Sequence, residues 1–196
     1  MPTNATDIAL WEQFRQGDAA AYEQLYRRFA PTLYSYAVRF APHEPEWVED
    51  CIQELFIYLW QHRTQVGPTA SVKHYLFKAL RREVMRRFRR PRRLITYGSE
   101  EATYEFLLSL AGEADRQDQE QRQEQSAHLR RIIERLPSQQ KEALLLRFHD
   151  ELTPDEIADI LSVSARTVYR LLDRALATLK KNRMLQTLLL AALWMS

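Results

Sequence analysis

Glycine is scarce in this chain: 4 among 196 residues, at positions 17, 67, 98 and 112. They lie too far apart to build a phosphate-cradling loop, which excludes Walker and Rossmann fingerprints. The single cysteine, Cys51, allows no internal disulfide and no CxxC metal site. The 5 histidines, at 43, 62, 74, 128 and 149, never fall at HxxxH spacing, so zincin chemistry is excluded. No stretch reaches the roughly 18 apolar residues of a membrane span. The first ten residues have no basic start followed by an apolar run and do not read as a secretory signal. Carboxylates are abundant, but no spacing pairs them with a nucleophile, a metal site or a glycine loop, so an enzyme is disfavoured and no cofactor is expected. Nowhere does the sequence alternate as a strand does. At 45% hydrophobic and 28% charged the chain can still bury a core. The expectation is an all-α, soluble protein of a reducing compartment.

What the chain has instead is segregated charge. The net charge of +2 divides into −4 over residues 1–64, +9 over 65–97, −6 over 98–126 and +3 over 127–196. Arg81, Arg82, Arg86, Arg87, Arg89, Arg90, Arg92 and Arg93 put 8 guanidiniums into 13 residues. An unpaired block this dense repels itself unless a polyanion neutralises it, and nucleic acid is the leading partner. Lys73, His74, Tyr75, Phe77 and Lys78 interleave aromatic and basic groups just before it. Such a mixture offers an unstacked base both a stacking face and phosphate partners. Tyr75 and Phe77 fit a helical core equally well.

Helical periodicity organises most of the rest. Residues 7–29 read as one helix, or two broken at Gly17–Asp18. Pro31 opens a fresh amphipathic segment carrying Leu33, Tyr34, Tyr36, Ala37 and Phe40. After the breaker at 41–45, Val48, Ile52, Leu55, Phe56 and Leu59 give a core face to a helix over roughly 46–62. Val72, Leu76, Leu80 and Val84 do so for an arginine-rich helix over 70–90, stopped by Pro91. Residues 98–126 read as an acidic, glutamine-rich linker of at most ~95 Å if fully extended. Helical pattern returns at 127–136, and Ser138 is placed to cap a helix over 139–149. Thr153-Pro154-Asp155-Glu156 is a capping box with proline at the first helical position, opening a short helix to about Leu161. Ser164 caps a longer one to about Lys181.

Two helices joined by the turn Ser162-Val163-Ser164 have the helix-turn-helix shape. Ile157, Ala158, Leu161, Val163, Val168 and Leu172 are spaced to pack them together. Arg166, Thr167, Tyr169, Arg170, Asp173 and Arg174 lie on the outer face of the second. Arginine forks match guanine acceptors in the major groove, and hydroxyls and helix N-termini meet phosphate. An ordinary helical hairpin with a solvated face is the plainer alternative. The turn has serine where glycine is usual, at a cost of up to ~1 kcal/mol if a left-handed backbone is needed.

The runs Leu136-Pro-Ser-Gln-Gln-Lys-Glu-Ala-Leu-Leu-Leu-Arg147, Leu152-Thr-Pro-Asp-Glu-Ile-Ala-Asp-Ile-Leu161 and Ser164-Ala-Arg-Thr-Val-Tyr-Arg-Leu-Leu-Asp-Arg-Ala175 resemble the C-terminal domain of bacterial sigma factors. The closest group is the extracytoplasmic-function (ECF) class of the sigma-70 family. Independently, Asp50-Cys-Ile-Gln-Glu-Leu-Phe-Ile-Tyr-Leu-Trp60 looks like that family's core-binding helix, and the basic helix at 73–93 lies where the family melts DNA. The resemblance implies a region 2-like domain over 1–97, a linker over 98–126, a region 4-like helix-turn-helix domain over 127–183 and an apolar tail over 184–196. It implies a non-catalytic, cytoplasmic promoter-specificity subunit that binds core RNA polymerase and promoter DNA and is monomeric when free. The alternative is a stand-alone helix-turn-helix regulator.

By the same resemblance, core polymerase meets Asp50, Gln53 and Glu54, which share a helix face at i, i+3 and i+4. Phe56, Leu59 and Trp60 flank that face, with Phe56 and Leu59 also placed to be core. Lys73, Tyr75, Phe77, Lys78, Arg81, Arg82 and Arg86 are implied for the −10 element. Arg82 stands where the family often has asparagine, which leaves open the base read there. Tyr169, Arg170, Asp173 and Arg174 are implied for the −35 element, with Arg166 and Thr167 on backbone phosphate. Asp173 is equally placed to orient Arg170 or Arg174 by a salt bridge. The acidic linker is either a solvated tether or lies in the polymerase's basic transcript channel. The tail's stripe, Leu185, Leu188, Leu189, Leu190, Leu193 and Trp194, either packs back on a helical domain or docks to a partner such as an anti-sigma factor.

Overall fold

The computed structural model describes residues 4–41, 43–88, 133 and 135–180. The linker, the tail, Arg89, Arg90, Arg92, Arg93, Leu129 and Ile132 lie outside the described residues. The described residues form seven α-helices and no strand. The chain divides into two compact units, Met1–Ser99 and Glu100–Ser196.

The first unit holds α1 (Asn4–Arg15), α2 (Ala19–Ala37), α3 (Pro45–Gln61) and α4 (Val72–Phe88). Gly17–Asp18 does break the first pattern in two. Gly17 turns the chain at φ +95°, and the Asp18 carboxylate accepts from the Ala20 and Ala21 amides at 2.8 and 3.1 Å. Aspartate at this position satisfies amides that the first turn leaves orphaned. The expected fresh start at Pro31 does not occur: α2 runs through it. Proline costs the helix one amide donor, but Pro31 sits on the exposed side, where water can serve the freed carbonyl. The flanking apolar residues Leu25, Phe29, Leu33 and Tyr36 stay in one continuous buried stripe.

Trp11, Phe14, Leu33, Tyr36, Phe40, Leu59, Leu76, Phe77 and Leu80 are the large, fully buried side chains of this unit. Aromatic rings tile the interior, as in Trp11–Phe14 at 5.2 Å, Trp11–Tyr75 at 5.0 Å and Tyr36–Phe77 at 5.1 Å between centroids. The helix α1 is also lashed to the loop that precedes α4. Trp11 Nε1 donates to the Gly67 carbonyl at 3.1 Å, and Arg15 Nε to that of Val66 at 2.7 Å.

The second unit holds α5 (Ser138–Phe148), α6 (Pro154–Leu161) and α7 (Ala165–Lys180). Ile133, Leu136, Leu144, Ala175 and Leu179 form a buried cluster, with Phe148 and Leu176 packed against it. Ser138 is not the cap of α5. Pro137 takes that place and has no side-chain hydrogen bond to offer, so Ser138 becomes the first helical residue. The capping box of α6 forms as its sequence dictates: Thr153 Oγ1 accepts from the Glu156 amide at 3.3 Å, and Glu156 Oε2 accepts from the Thr153 amide at 2.9 Å.

Candidate nucleic-acid and polymerase-binding surfaces

The turn of the helix-turn-helix is left-handed at Ser162, with φ 58° and ψ 45°. Ser162 and Val163 donate back to the Ala158 carbonyl, Val163 at 2.9 Å, which ends α6 and reverses the chain. Ser164 then accepts from the Thr167 amide at 3.2 Å and caps α7. Val168, Leu171, Leu172, Ala175 and Leu179 bury one stripe of α7 and so fix its rotation. The opposite stripe carries Arg166, Tyr169, Arg170, Asp173 and Arg174, all exposed, with Tyr169 56% exposed. A large aromatic is kept out of the core there while its neighbours pack. Thr167 is half-buried, its hydroxyl 2.9 Å from that of Ser164. Among the described residues, Arg166, Arg170, Asp173 and Arg174 make no ion pair, so no salt bridge orients Arg170 or Arg174 through Asp173.

In the first unit Asp50, Gln53 and Glu54 are exposed along α3. The two aromatics expected to flank them do not stand free. Phe56 is 2% exposed, wedged between the rings of Tyr22 and Tyr26 at 6.0 and 4.9 Å. It is a core residue, because its position on α3 turns toward α2. Trp60 is half-buried, 5.0 Å from Tyr22 and beneath the Arg63 guanidinium at 4.7 Å. Leu59 is likewise core. The apolar groups that α3 does expose are Ile57 and Tyr58, at 51% and 55%. Gln53 and Glu49 also border a cleft of ≈ 240 Å³ between α2 and α3, with Tyr26, Pro31 and Tyr34 on its far wall.

On α4 the expected residues separate by face. Phe77 has no exposed surface and packs on Tyr36, so it belongs to the core and cannot stack on a base in this conformation. Tyr75 is half-buried against Trp11, and burial pushes its phenol pKa up. Lys73 is drawn in with its Nζ 5.9 Å from the Phe77 ring. Lys78, Arg82 and Arg86, at i, i+4 and i+8, line the side away from the buried Leu76, Leu80 and Val84, with Arg82 and Arg86 exposed and Lys78 and Arg81 half-buried. Two arginines of the block, Arg86 and Arg87, are paired. Glu83 accepts from Arg86 at 2.7 Å and from Arg87 at 2.6 Å, and Arg87 also pairs with Glu54 of α3. Hydrogen bonds from the two arginines outweigh burial and hold the Glu83 carboxyl below the usual range, while Glu54 and Glu83 raise Arg87.

Two family models match the chain: sigma-70 region 2 over residues 25–94, and sigma-70 region 4 over residues 127–179. The chain belongs to the sigma-70 family. It is a sigma factor of the ECF class, a promoter-specificity subunit of RNA polymerase. Similar curated proteins include the ECF RNA polymerase sigma factor RpoE of Cereibacter sphaeroides, 25% identical over 177 residues that cover 89% of this chain and 93% of that one. Another is the RNA polymerase sigma factor YlaC of Bacillus subtilis, 27% identical over 160 residues, covering 82% and 90%. Among solved structures, CnrH in complex with the cytosolic domain of CnrY has the same fold. The TM-score is 0.59 at 21% identity, over 89% of this chain and 95% of that one.

In this sigma factor the region 2 match begins inside α2 and takes in α3 and α4, while α1 precedes it. The region 4 match takes in α5, α6 and nearly all of α7. Ile57, like Tyr58, is a surface residue of α3 that sequence reasoning missed. Its spacing from Asp50 (i+7) and Glu54 (i+3) places it on the acidic face, but an isoleucine between Phe56 and Leu59 reads as one more core residue. No helix among the described residues is long and apolar enough to cross a membrane.

Proposed function

We propose that α7 enters the major groove of the −35 element and that α4, with the basic segment after it, engages the −10 element, while α3 docks on core polymerase. One observation carries this reading: α7 turns a wholly exposed, arginine-bearing stripe away from a core stripe that fixes its orientation. Arg170 and Arg174 are placed for base edges, and Arg166 and Thr167 at the helix entrance for phosphate. Lys78, Arg82 and Arg86 supply the phosphate-facing row on α4. Asp50 and Gln53 supply the docking face, with Ile57 and Tyr58 as its apolar contacts. On this reading residues 1–97 and 127–183 are the two working domains. The protein is cytoplasmic and non-catalytic, and core polymerase and promoter DNA are its partners. An anti-sigma factor is a further partner on the same proposal.

Co-purification with core RNA polymerase, followed by run-off transcription on genomic DNA, tests it. The wild type should be retained by the core enzyme and should open new start sites. Asp50→Lys should lower retention with the fold intact. Asp50 serves better than Glu54 here, because a change at Glu54 also breaks its pair with Arg87. Arg174→Ala should cost ~1–3 kcal/mol of discrimination at one −35 position. Retention of Asp50→Lys at wild-type level would remove the docking assignment. New start sites by Arg174→Ala, indistinguishable from those of the wild type, would remove the reader assignment.

A further inference from the structure

Asp173 is an unexpected residue on a surface that meets a polyanion. At 100° per residue, the direction opposite the buried stripe of α7 falls among Arg166, Arg170, Asp173 and Ala177. The carboxylate therefore stands near the centre of the outward face, not at its edge. Among basic residues of α7, only Arg170 lies at a spacing that lets side chains meet, since neighbours at i±1 such as Arg174 do not face each other. Ion pairs at such spacings do form elsewhere in this protein, as in Arg27–Glu23 and Arg86–Glu83 at 2.6 and 2.7 Å. Arg170 and Asp173 form none among the described residues. The acid is thus exposed and central, with no pairing to arginine that would explain it.

A carboxylate at neutral pH only accepts hydrogen bonds. In the major groove, guanine offers two acceptors, and thymine an acceptor beside a methyl group. Adenine offers a donor beside its N7 acceptor, whereas cytosine offers its N4 amino donor. Only cytosine presents a donor with no acceptor next to it on the same base. We propose that Asp173 is a specificity-determining residue of the −35 element and selects a cytosine at one position by accepting from its amino group. The proposal rests on α7 being the −35 reader.

The test uses holoenzyme assembled from core polymerase and the full chain, with run-off transcription from templates randomised through the −35 element. The wild type should favour cytosine over thymine at one position by about tenfold. Asp173→Ala should flatten that position and leave the others as they are. Asp173→Asn should move the preference to adenine, whose N6 and N7 match the donor and acceptor of a side-chain amide. A uniform rise in use of every −35 sequence by Asp173→Ala would overturn the proposal, because it would mean that the acid merely repels phosphate. So would a change confined to the position that Arg170→Ala also alters, or an unchanged profile. A wild-type holoenzyme indifferent to the −35 sequence would overturn the reading of α7 itself, and this proposal with it.

Discussion

Glu54 of α3 and Arg87 of α4 form an ion pair between two helices of the first unit. Arg87 is mostly buried and also donates to Glu83 at 2.6 Å, so one guanidinium joins the acidic face of α3 to the arginine-rich end of α4. Glu54 therefore has a structural partner as well as an exposed edge. Arg87→Ala should destabilise the first unit by about 1 kcal/mol, a value reduced for the exposure of Glu54. Urea unfolding of the full chain, followed by tryptophan fluorescence, measures it. All of the described tryptophans lie in this unit.

Glu83 gives the same network a pH dependence. Its carboxyl titrates below the ordinary glutamate value of 4.5, so the folded state binds its proton less readily than the unfolded chain does. The stabilisation is complete above the unfolded value and is lost as pH falls through the lower, folded one. In Glu83→Gln that contribution is absent at every pH. Unfolding midpoints of wild type and variant should differ at pH 7 and draw together in acid. Parallel curves throughout would contradict the assignment.

The helix-turn-helix offers two changes of opposite sign. Thr153→Ala removes the cap of α6 and should cost about 1 kcal/mol. Ser162→Gly relieves a left-handed serine and should gain about 0.5–1 kcal/mol, after glycine's greater unfolded-state entropy is counted. Thermal unfolding of the two variants beside wild type should bracket it.

Cys51 is fully buried, and burial pushes its thiol up to about 11. At pH 8 it should resist iodoacetamide in the native protein and react readily in urea. Rapid alkylation of the native protein, read by mass spectrometry, would show that α3 opens far more often than its packing allows.

Local chemistry was the most legible part of the sequence. Thr153 and Glu156 sit three residues apart and bond to each other's backbone, so nothing distant could overrule them. Ser164 caps its helix for the same reason. Pro31 and Ser138 depart from their local patterns because each outcome depends on context: the exposed side of α2 tolerates a proline, and Pro137 takes the cap. The α7 face was legible because its apolar and polar residues separate cleanly at helical spacing. The α3 face was not. Phe56, Ile57, Tyr58, Leu59 and Trp60 are apolar or aromatic in succession, and only packing against Tyr22 and Tyr26 decides which of them turn inward. The Glu54–Arg87 pair joins residues 33 apart, a separation that no local pattern encodes.

The bonds from Trp11 and Arg15 to the carbonyls of Gly67 and Val66 give the N-terminal helix a duty that its place outside the region 2 match would not suggest. They act as a backstop for the loop that leads into α4. A chain trimmed to begin at residue 25 would lose that anchor together with the indole that closes the interior beneath Tyr75. It would keep every group proposed to touch polymerase or DNA and yet lose Trp11, Phe14 and Tyr22 from the interior against which α3 and α4 pack.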